Sequence, residues 1–439
     1  LDFTLEYGHF VTNPSKEVES LTEPHENKRH FTVLGAGVVG LCCAVSLQKD
    51  GHRVTLVDRM DPGTGTSFGN AGLIQIDAVV PIATPGILGN VPRMLLDPKG
   101  PLVVRWRYLH RIAPWLAKFV LAARPDSVER ISMALASLLD SSNDAWLELI
   151  KAASAQEVWR QSGELHVYRK KEAWDAAQST HELRRRRGSL LEELTVDEMR
   201  QLEPALSPEL YAGVFTPNAN SITHPLHLSE KLFELFRRNG GEFVKDNILR
   251  IETGSDGEPS QLVGEHEPRT LDALVIAAGA FSKPFAKSAG TSVPLDTERG
   301  YHLWLPDAGV EMRRPIIVGD HRFGIVPMTG GIRLVGTAEF AGLELPPYWD
   351  RADILAELAA PFVPGLNLDG AERWMGYRPS LPDSLPVIGR APGRKDVYLA
   401  FGHGHLGLTM GAVTGQLIAD LAANRAPAID LAPFRAERF

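Results

Sequence analysis

Three glycines and one acid mark the first place in this chain where chemistry could be held. Gly35, Gly37 and Gly40 stand in G-x-G-x-x-G spacing within "HFTVLGAGVVGLCCAVSLQKDGHRVTLVDR", and Asp58 lies at the end of that stretch. The first glycine permits a tight turn, the second lets backbone approach a pyrophosphate, and the third lets helix and strand pack closely. The helix N-terminus then faces the negative charge, and Asp58 is placed to bond a ribose hydroxyl. The constellation binds a dinucleotide, and NAD and FAD share it. Other reactive groups are sparse. Cys42 and Cys43 are the only cysteines, adjacent in the first helix, where they read as small packing groups with no C-x-x-C redox pair or zinc site. His403 and His405 flank one glycine without a third ligand at useful spacing, so no metal is expected. No Ser-His-Asp or Cys-His arrangement stands out, and Arg184 to Arg187 read as a solvated helix face.

The elements that must position these residues follow from the apolar pattern. Phe31 to Leu34 is a short buried strand, Val38 to Lys49 a helix, and "RVTLVD" a second strand. The loop "RMDPGTGTSFGNAGLIQ" can lay backbone N–H groups along an extended phosphate-bearing ligand. Residues 86 to 125 alternate Pro-Gly breaks with aromatic and basic helical segments, and amphipathic helices run from about Ser127 to Ala155. "ELHVYR" reads as a strand and 171 to 203 as charged helix. Pro225 opens a helix that Gly240-Gly241 stops before a strand. "LDALVIAAGAFS" is another buried strand. "GYHLWLP", "FGIVPM" and "IRLVGTAEF" carry antiparallel patterning. "VYLAFGHGHLGLTMGAVTGQLIADLAANR" closes the chain as strand, glycine-rich turn and helix. Parallel-sheet elements therefore come in separated pieces. The expected fold is α/β: a Rossmann-type cofactor domain (30–95, 220–292 and 373–439) interleaved with an α+β substrate domain on an antiparallel sheet (96–219 and 293–372).

Composition bounds the partners. Against 46 basic residues stand 54 acidic ones, a net charge of -8 that is mild for 439 residues and suggests no nucleic acid. The absence of a disulfide framework fits a reducing compartment. Residues 1–29 are polar, with no basic region leading an apolar run, and read as an N-terminal extension rather than a secretory signal. No run approaches the 18 or so apolar residues of a membrane span. A cytoplasmic protein is expected. The basic-aromatic run from Arg105 to Arg124 reads first as an ordinary helix; it could also touch the inner face of a membrane peripherally.

The residues as a set resemble the FAD-dependent D-amino-acid oxidase family, with glycine oxidase, sarcosine oxidase and bacterial D-amino-acid dehydrogenase as relatives. The resemblance covers nearly the whole chain from His30 onward. "GTSFGNAGLI" is similar to the family's segment along pyrophosphate and flavin, and "WMGYRPSLPDSLPVIG" to its G-x-R-P…P-D…P-x-I-G signature. "GHGHLGLTMGAVTGQLIADL" is similar to its closing loop and helix beneath the flavin. "LLDPKGPL", "ERGYH" and "GHGHLGLTM" lean toward the bacterial D-amino-acid dehydrogenases. The resemblance implies that the dinucleotide is FAD, held non-covalently. It places Gly35, Gly37, Val38, Val39 and Gly40 along the pyrophosphate, with Asp58 and Arg59 at the adenosine ribose. Thr66, Ser67, Asn70, Ala71, Gly72 and Leu73 follow the cofactor to the isoalloxazine. Ile248 meets adenine beside Ala278 and Gly279. Gly404, His405, Leu406, Gly407, Leu408 and Thr409 cradle the flavin.

For the substrate, the resemblance assigns Arg378 to the carboxylate, because a planar guanidinium grips it bidentately and fixes the Cα–H toward flavin N5. Tyr301 and His302 are candidates for the pocket roof, with Tyr377 nearby. The relatives carry a carboxylate-binding tyrosine before "IVP", whereas this chain reads "VGDHRFGIVPM", so His321 or Arg322 could substitute. The implied reaction oxidises the Cα–N bond of an amino acid or N-substituted glycine. Hydride passes to the flavin and the imine hydrolyses, with oxygen or a quinone as acceptor; no protein base need act on Cα. A D-amino-acid dehydrogenase is the first expectation and an oxidase of secondary amino acids (sarcosine, proline or iminodiacetate type) the second. From other classes, a 2-hydroxy acid dehydrogenase would need a histidine base, and a non-catalytic flavoprotein subunit would not need Arg378.

Overall fold

Apolar runs bounded by glycine turns become the strands of a parallel sheet, and the turns gather at one end of it. The computed structural model describes residues 28–86, 100, 102–255 and 257–439. Most of the 1–29 extension and most of "LLDPKGPL" lie outside the described residues. His30–Leu34, Val38–Lys49 and Arg53–Asp58 form the expected strand, helix and strand. The six-stranded sheet runs in the order Glu242–Lys245, Arg53–Asp58, His30–Leu34, Ala273–Ile276, Val397–Phe401, Val387–Arg390. All its pairings are parallel except the last. The first helix packs on one face with Pro225–Arg238 and Gly407–Ala422, burying Leu41, Leu232 and Leu417. Cys42 and Cys43 are fully buried there, and burial pushes both thiols up, Cys43 to about 12, so they pack rather than react.

The second sheet has the order Glu372–Ser380, Asp296–Leu305, Gly331–Phe340, Phe323–Met328, Ile316–Val318, Glu164–Tyr168, Ala212–Thr216, Glu192–Leu194, with Leu102–Val104 beside Gly331–Phe340. It is antiparallel apart from that ninth strand and the pairing of Ile316–Val318 with Glu164–Tyr168. Helix Asp350–Ala359 covers one face through Leu355 and Ala359. The other face looks toward the first sheet. No helix of the described residues is long and apolar enough to cross a membrane.

Three details depart from the sequence reading. The 171–203 segment is a helix, Lys171–Arg186, then a strand, Glu192–Leu194, and a short helix, Val196–Leu202. Gly188, at φ 89, breaks the first helix, and Thr195 caps the second in a capping box with Glu198. Helices Pro125–Asp140 and Ser142–Ala153 pack under the first sheet, with Leu138 and Trp146 in its core, and strand Glu372–Ser380 pairs into the second. An amphipathic stripe says that a face is buried, not against which partner. Arg184 is not solvated: it is buried in an ion pair with Asp77 and donates to Thr216 at 3.1 Å. Arg187 pairs with Glu129.

Candidate active site and cofactor cleft

The two sheets enclose a cleft of about 1660 Å³, larger than the several hundred Å³ of a typical small-molecule site, so it has room for a cofactor and a substrate together. It opens at the carboxyl ends of the parallel strands, where doubly wound sheets bind ligands. Gly35 has φ 113, and a Cβ there would come within 2.7 Å of the Ala277 carbonyl carbon. A Cβ on Gly40 would overlap the Gly35 carbonyl. Strand and helix thus meet too closely for any side chain, and backbone lines the cleft. The Val38 N–H donates to Ser67 Oγ at 2.9 Å, tying the helix start to the following loop. Asp58 accepts from the Ala36 N–H at 2.7 Å and the Met60 N–H at 2.9 Å, and its carboxylate borders the cleft. Arg59 stacks on Phe281 at 4.1 Å, and Ile248, Ala278 and Gly279 line the same wall.

Farther along, the loop after Asp58 is held from behind. Asn70 Oδ1 accepts from the Gly72 N–H at 2.6 Å, and Arg333 donates to the Phe68 and Asn70 carbonyls at 3.3 and 2.5 Å. His302 Nδ1 bonds the Gly69 carbonyl at 3.1 Å, and its ring stacks on Trp374. Burial holds its pKa down to about 3, so the ring is neutral and Nδ1 donates. His302 is therefore a support for the loop, outside the cleft. Gly404, His405, Leu406, Gly407 and Leu408 border the cleft toward the second sheet. The closing helix starts there, and its first N–H groups have no carbonyl one turn back. Thr409 does not face the cleft: its hydroxyl donates to Leu73 O at 3.1 Å and accepts from the Gln75 N–H at 3.3 Å. Anion-ready backbone at the N-termini of two helices packed side by side, both opening on one large cleft, fits a dinucleotide with a large second ring system.

Beside the His405 loop lies a polar site on the second sheet. Arg378 Nη1 donates to Glu298 at 2.7 Å and to the Thr337 carbonyl at 3.2 Å. Its guanidinium lies over Gly300, where a Cβ would overlap it. Thr337, at φ 50, bulges out of its strand, and pairing skips from Gly300↔Ala338 to Tyr301↔Gly336. Bulges re-aim groups in this way beside active sites. His405, exposed on the cleft side, reaches the same area; desolvation by the surrounding protein lowers its pKa, with Glu298 and Arg378 acting on it in opposite directions. Tyr301 turns to the far side of the sheet, because alternate residues of Asp296–Leu305 face opposite ways. Its hydroxyl donates to buried Glu339 at 2.6 Å and accepts from the Tyr348 N–H at 3.0 Å. His321 packs edge-on against Phe362 and does not line the cleft. Arg322 does line it. Sequence reasoning missed Glu298, which shares a face with Gly300 by period-2 spacing, and the cleft residues His166 and Tyr168. His166 pairs with Glu164 at 2.8 Å, and that carboxylate also takes both bonds of Gln75.

The family model described as "DAO: FAD dependent oxidoreductase" matches residues 30–421. The chain belongs to this FAD-dependent oxidoreductase family. A D-amino-acid oxidase of Bradyrhizobium diazoefficiens is 37% identical over 418 residues, covering 94% of this chain and 99% of that protein. D-amino acid dehydrogenase 1 of Mesorhizobium japonicum is 30% identical over 414 residues, covering 93% and 99%. Among solved structures, glycine oxidase from Geobacillus kaustophilus superposes with a TM-score of 0.70 at 22% identity, covering 94% of this chain and all of that one. The dinucleotide of the glycine fingerprint is FAD, and among the described residues no cluster of His, Cys, Asp or Glu could hold a metal.

Proposed function

We propose that this member of the family oxidises the Cα–N bond of an amino acid, with Arg378 receiving the α-carboxylate. The observation that carries this is the placement of the Arg378 guanidinium over Gly300 in the cleft. Nη1 makes both of its bonds within the protein, and Nη2 and Nε remain for a planar anion. FAD, when bound, supplies the two-electron acceptor. The protein orients: Arg378 fixes the carboxylate, Glu298 and the Thr337 carbonyl fix Arg378, and the bare Gly300 leaves the guanidinium its room. No side chain need remove the Cα proton, because the lone pair of the neutral amine drives departure of the hydride, leaving an imine that water converts to an oxo acid and ammonia or amine. A 2-hydroxy acid would need a histidine base; His302 and His321 lie off the cleft, whereas His403 and His405 border it, so a substrate panel separates the two classes.

The flavin is held without a covalent bond, since Cys42 and Cys43 sit in the helix core and do not line the cleft. Oxygen or a quinone accepts the electrons. Trp106, which is 79% exposed, with Leu109 and Val120 beside Arg107 and Arg111, fits a peripheral contact with a membrane from the cytoplasmic side. Anaerobic bleaching of the yellow protein tests the reading, with a panel of D-amino acids, sarcosine, proline, iminodiacetate and 2-hydroxy acids. Bleaching by an amino acid that is lost in Arg378→Met is the expected result. Bleaching by 2-hydroxy acids alone would overturn it.

A further inference from the structure

Resting on that reading, we propose that Arg322 makes the site selective for amino acids carrying a second carboxylate, Arg378 taking the α-carboxylate and Arg322 the side-chain one. Arg322 sits at the turn between Ile316–Val318 and Phe323–Met328, its N–H bonded to the Val318 carbonyl at 2.8 Å. Its φ of 56 is a conformation that L residues other than Asn and Asp rarely adopt. Strain of this kind clusters at ligand sites. The side chain borders the cleft, and no carboxylate among the described residues bonds it.

Two of the acids that border or flank the cleft there are committed elsewhere. Asp320 accepts from the Arg169 and Lys170 N–H groups at 2.9 and 3.1 Å. Glu164 is taken by His166 and Gln75. The Tyr168 hydroxyl bonds His181 at 3.0 Å. Surrounding protein lowers the Arg322 pKa by desolvation, with the Tyr168 hydroxyl the only partner opposing it. Arg322 is exposed on the cleft side, and a guanidinium there with no carboxylate bonded to it among the described residues can take an anion bidentately. The contrast with Arg378, already neutralised by Glu298, is what separates the two arginines.

Their spacing suits two carboxylates on one small molecule. The strand of Arg378 lies three steps from Phe323–Met328 in the sheet, about 14 Å at the usual strand separation. The Arg378 side chain shortens that span by crossing Gly300. On this floor Gly300 and Gly324 offer no side chain. Over the Arg322 end, helix Lys171–Arg186 presents Ala173, Ala176 and Ala177 to the cleft. These small residues leave volume for a short side chain, while Lys170, Glu172 and Thr180 border the cleft beside them.

The test is equilibrium binding of glutarate and butyrate to the oxidised holoenzyme, read by perturbation of the flavin absorbance, in the parent and in Arg322→Gln. Anaerobic flavin reduction by glutamate and aspartate against glutamine and asparagine runs beside it, with flavin content and thermal midpoint checked for each protein. The parent should bind glutarate on the order of tenfold or more tighter than butyrate and prefer the acids to their amides by a similar factor. Arg322→Gln should bring both ratios near one, and Arg322→Lys should retain part of each. Equal binding of glutarate and butyrate by the parent would overturn the assignment. So would an equal loss for both ligands in Arg322→Gln, which would make Arg322 the α-carboxylate anchor. Failure of every amino acid to reduce the flavin would sink the functional reading instead, and the glutarate-to-butyrate ratio would still decide the role of Arg322.

Discussion

Replacing Arg378 by methionine should produce two losses that a second substitution separates. The Arg378–Glu298 bond is 2.7 Å long, between side chains 23% and 14% exposed, so it is a charge-assisted contact largely shielded from solvent. Without Arg378 the α-carboxylate loses its partner, a loss on the order of 3 kcal/mol or a hundredfold or more in kcat/KM. Glu298 is then left without its cation, which costs about 1–3 kcal/mol of stability. In the double variant Arg378→Met, Glu298→Gln the orphan charge is gone, so the thermal midpoint should return most of the way while the catalytic loss stays. Glu298→Gln alone leaves Arg378 its bond to the Thr337 carbonyl and frees its charge, so half-saturating substrate should fall or hold. Anaerobic stopped-flow flavin reduction against substrate concentration reads the first quantity, and thermal unfolding of the holoenzyme reads the second. Recovery of activity in the double variant would refute the reasoning, because the arginine would then have acted only by neutralising Glu298.

Gly300→Ala places a methyl where the Arg378 guanidinium lies; the arginine should swing aside, raising half-saturating substrate several-fold while flavin content stays unchanged, and an unaltered saturation curve would place Arg378 elsewhere. Gly40→Ala forces a Cβ into the Gly35 carbonyl, so the purified protein should be colourless or nearly so by its flavin-to-protein absorbance ratio, and full flavin would contradict the cradle. Acid precipitation of the parent should release its flavin to the supernatant; yellow remaining in the pellet would mean a covalent link. His302 and His403 are held near pKa 3, and His181 near 4, in each case first by burial. Their neutral forms stabilise the fold fully above the unfolded value of about 6.5, and as pH falls below that the unfolded chain gains protons that the folded one refuses. Each then removes about 1.4 kcal/mol per pH unit, so the denaturation midpoint should fall steeply from pH 6.5 toward 4, and a flat profile would show that these rings are protonated when folded.

What could be read from sequence was local. Gly35 to Asp58 declared itself because strand, turn, helix and acid follow one another within thirty or so residues, each fixing the next. The helix beginning at Pro225 and the antiparallel runs after Gly300 were legible for the same reason. The pairing of Arg378 with Glu298 was not, since the two meet only across a strand register eighty residues apart. Nor was the bulge at Thr337, a threonine with nothing in its neighbours to mark it. Tyr301 and His302 adjoin in sequence yet go to opposite faces of one strand. Alternation predicts that they part; only the packed sheet says that the His302 ring backs the Gly69 loop and that the Tyr301 hydroxyl is spent on Glu339. Arg184 looked like one of four solvated arginines until Asp77, far upstream, turned out to be its partner.

The closing helix has a consequence for how the protein is made. Gly407–Ala422 begins at the cleft and lies against the first helix so closely that a Cβ on Gly415 would stand 2.6 Å from the Cys42 carbonyl oxygen. The sheet likewise takes Val397–Phe401 beside a strand that pairs with His30–Leu34. The fingerprint strand and helix and the closing strand and helix are thus one structural unit, joined by contacts of large sequence separation. Such contacts close slowly, and a nascent chain holds its fingerprint strand and helix on the ribosome without the surface meant to cover them. The cleft is therefore complete only once the closing helix has packed, and until then the apolar face of Leu41 and Cys42 stays uncovered.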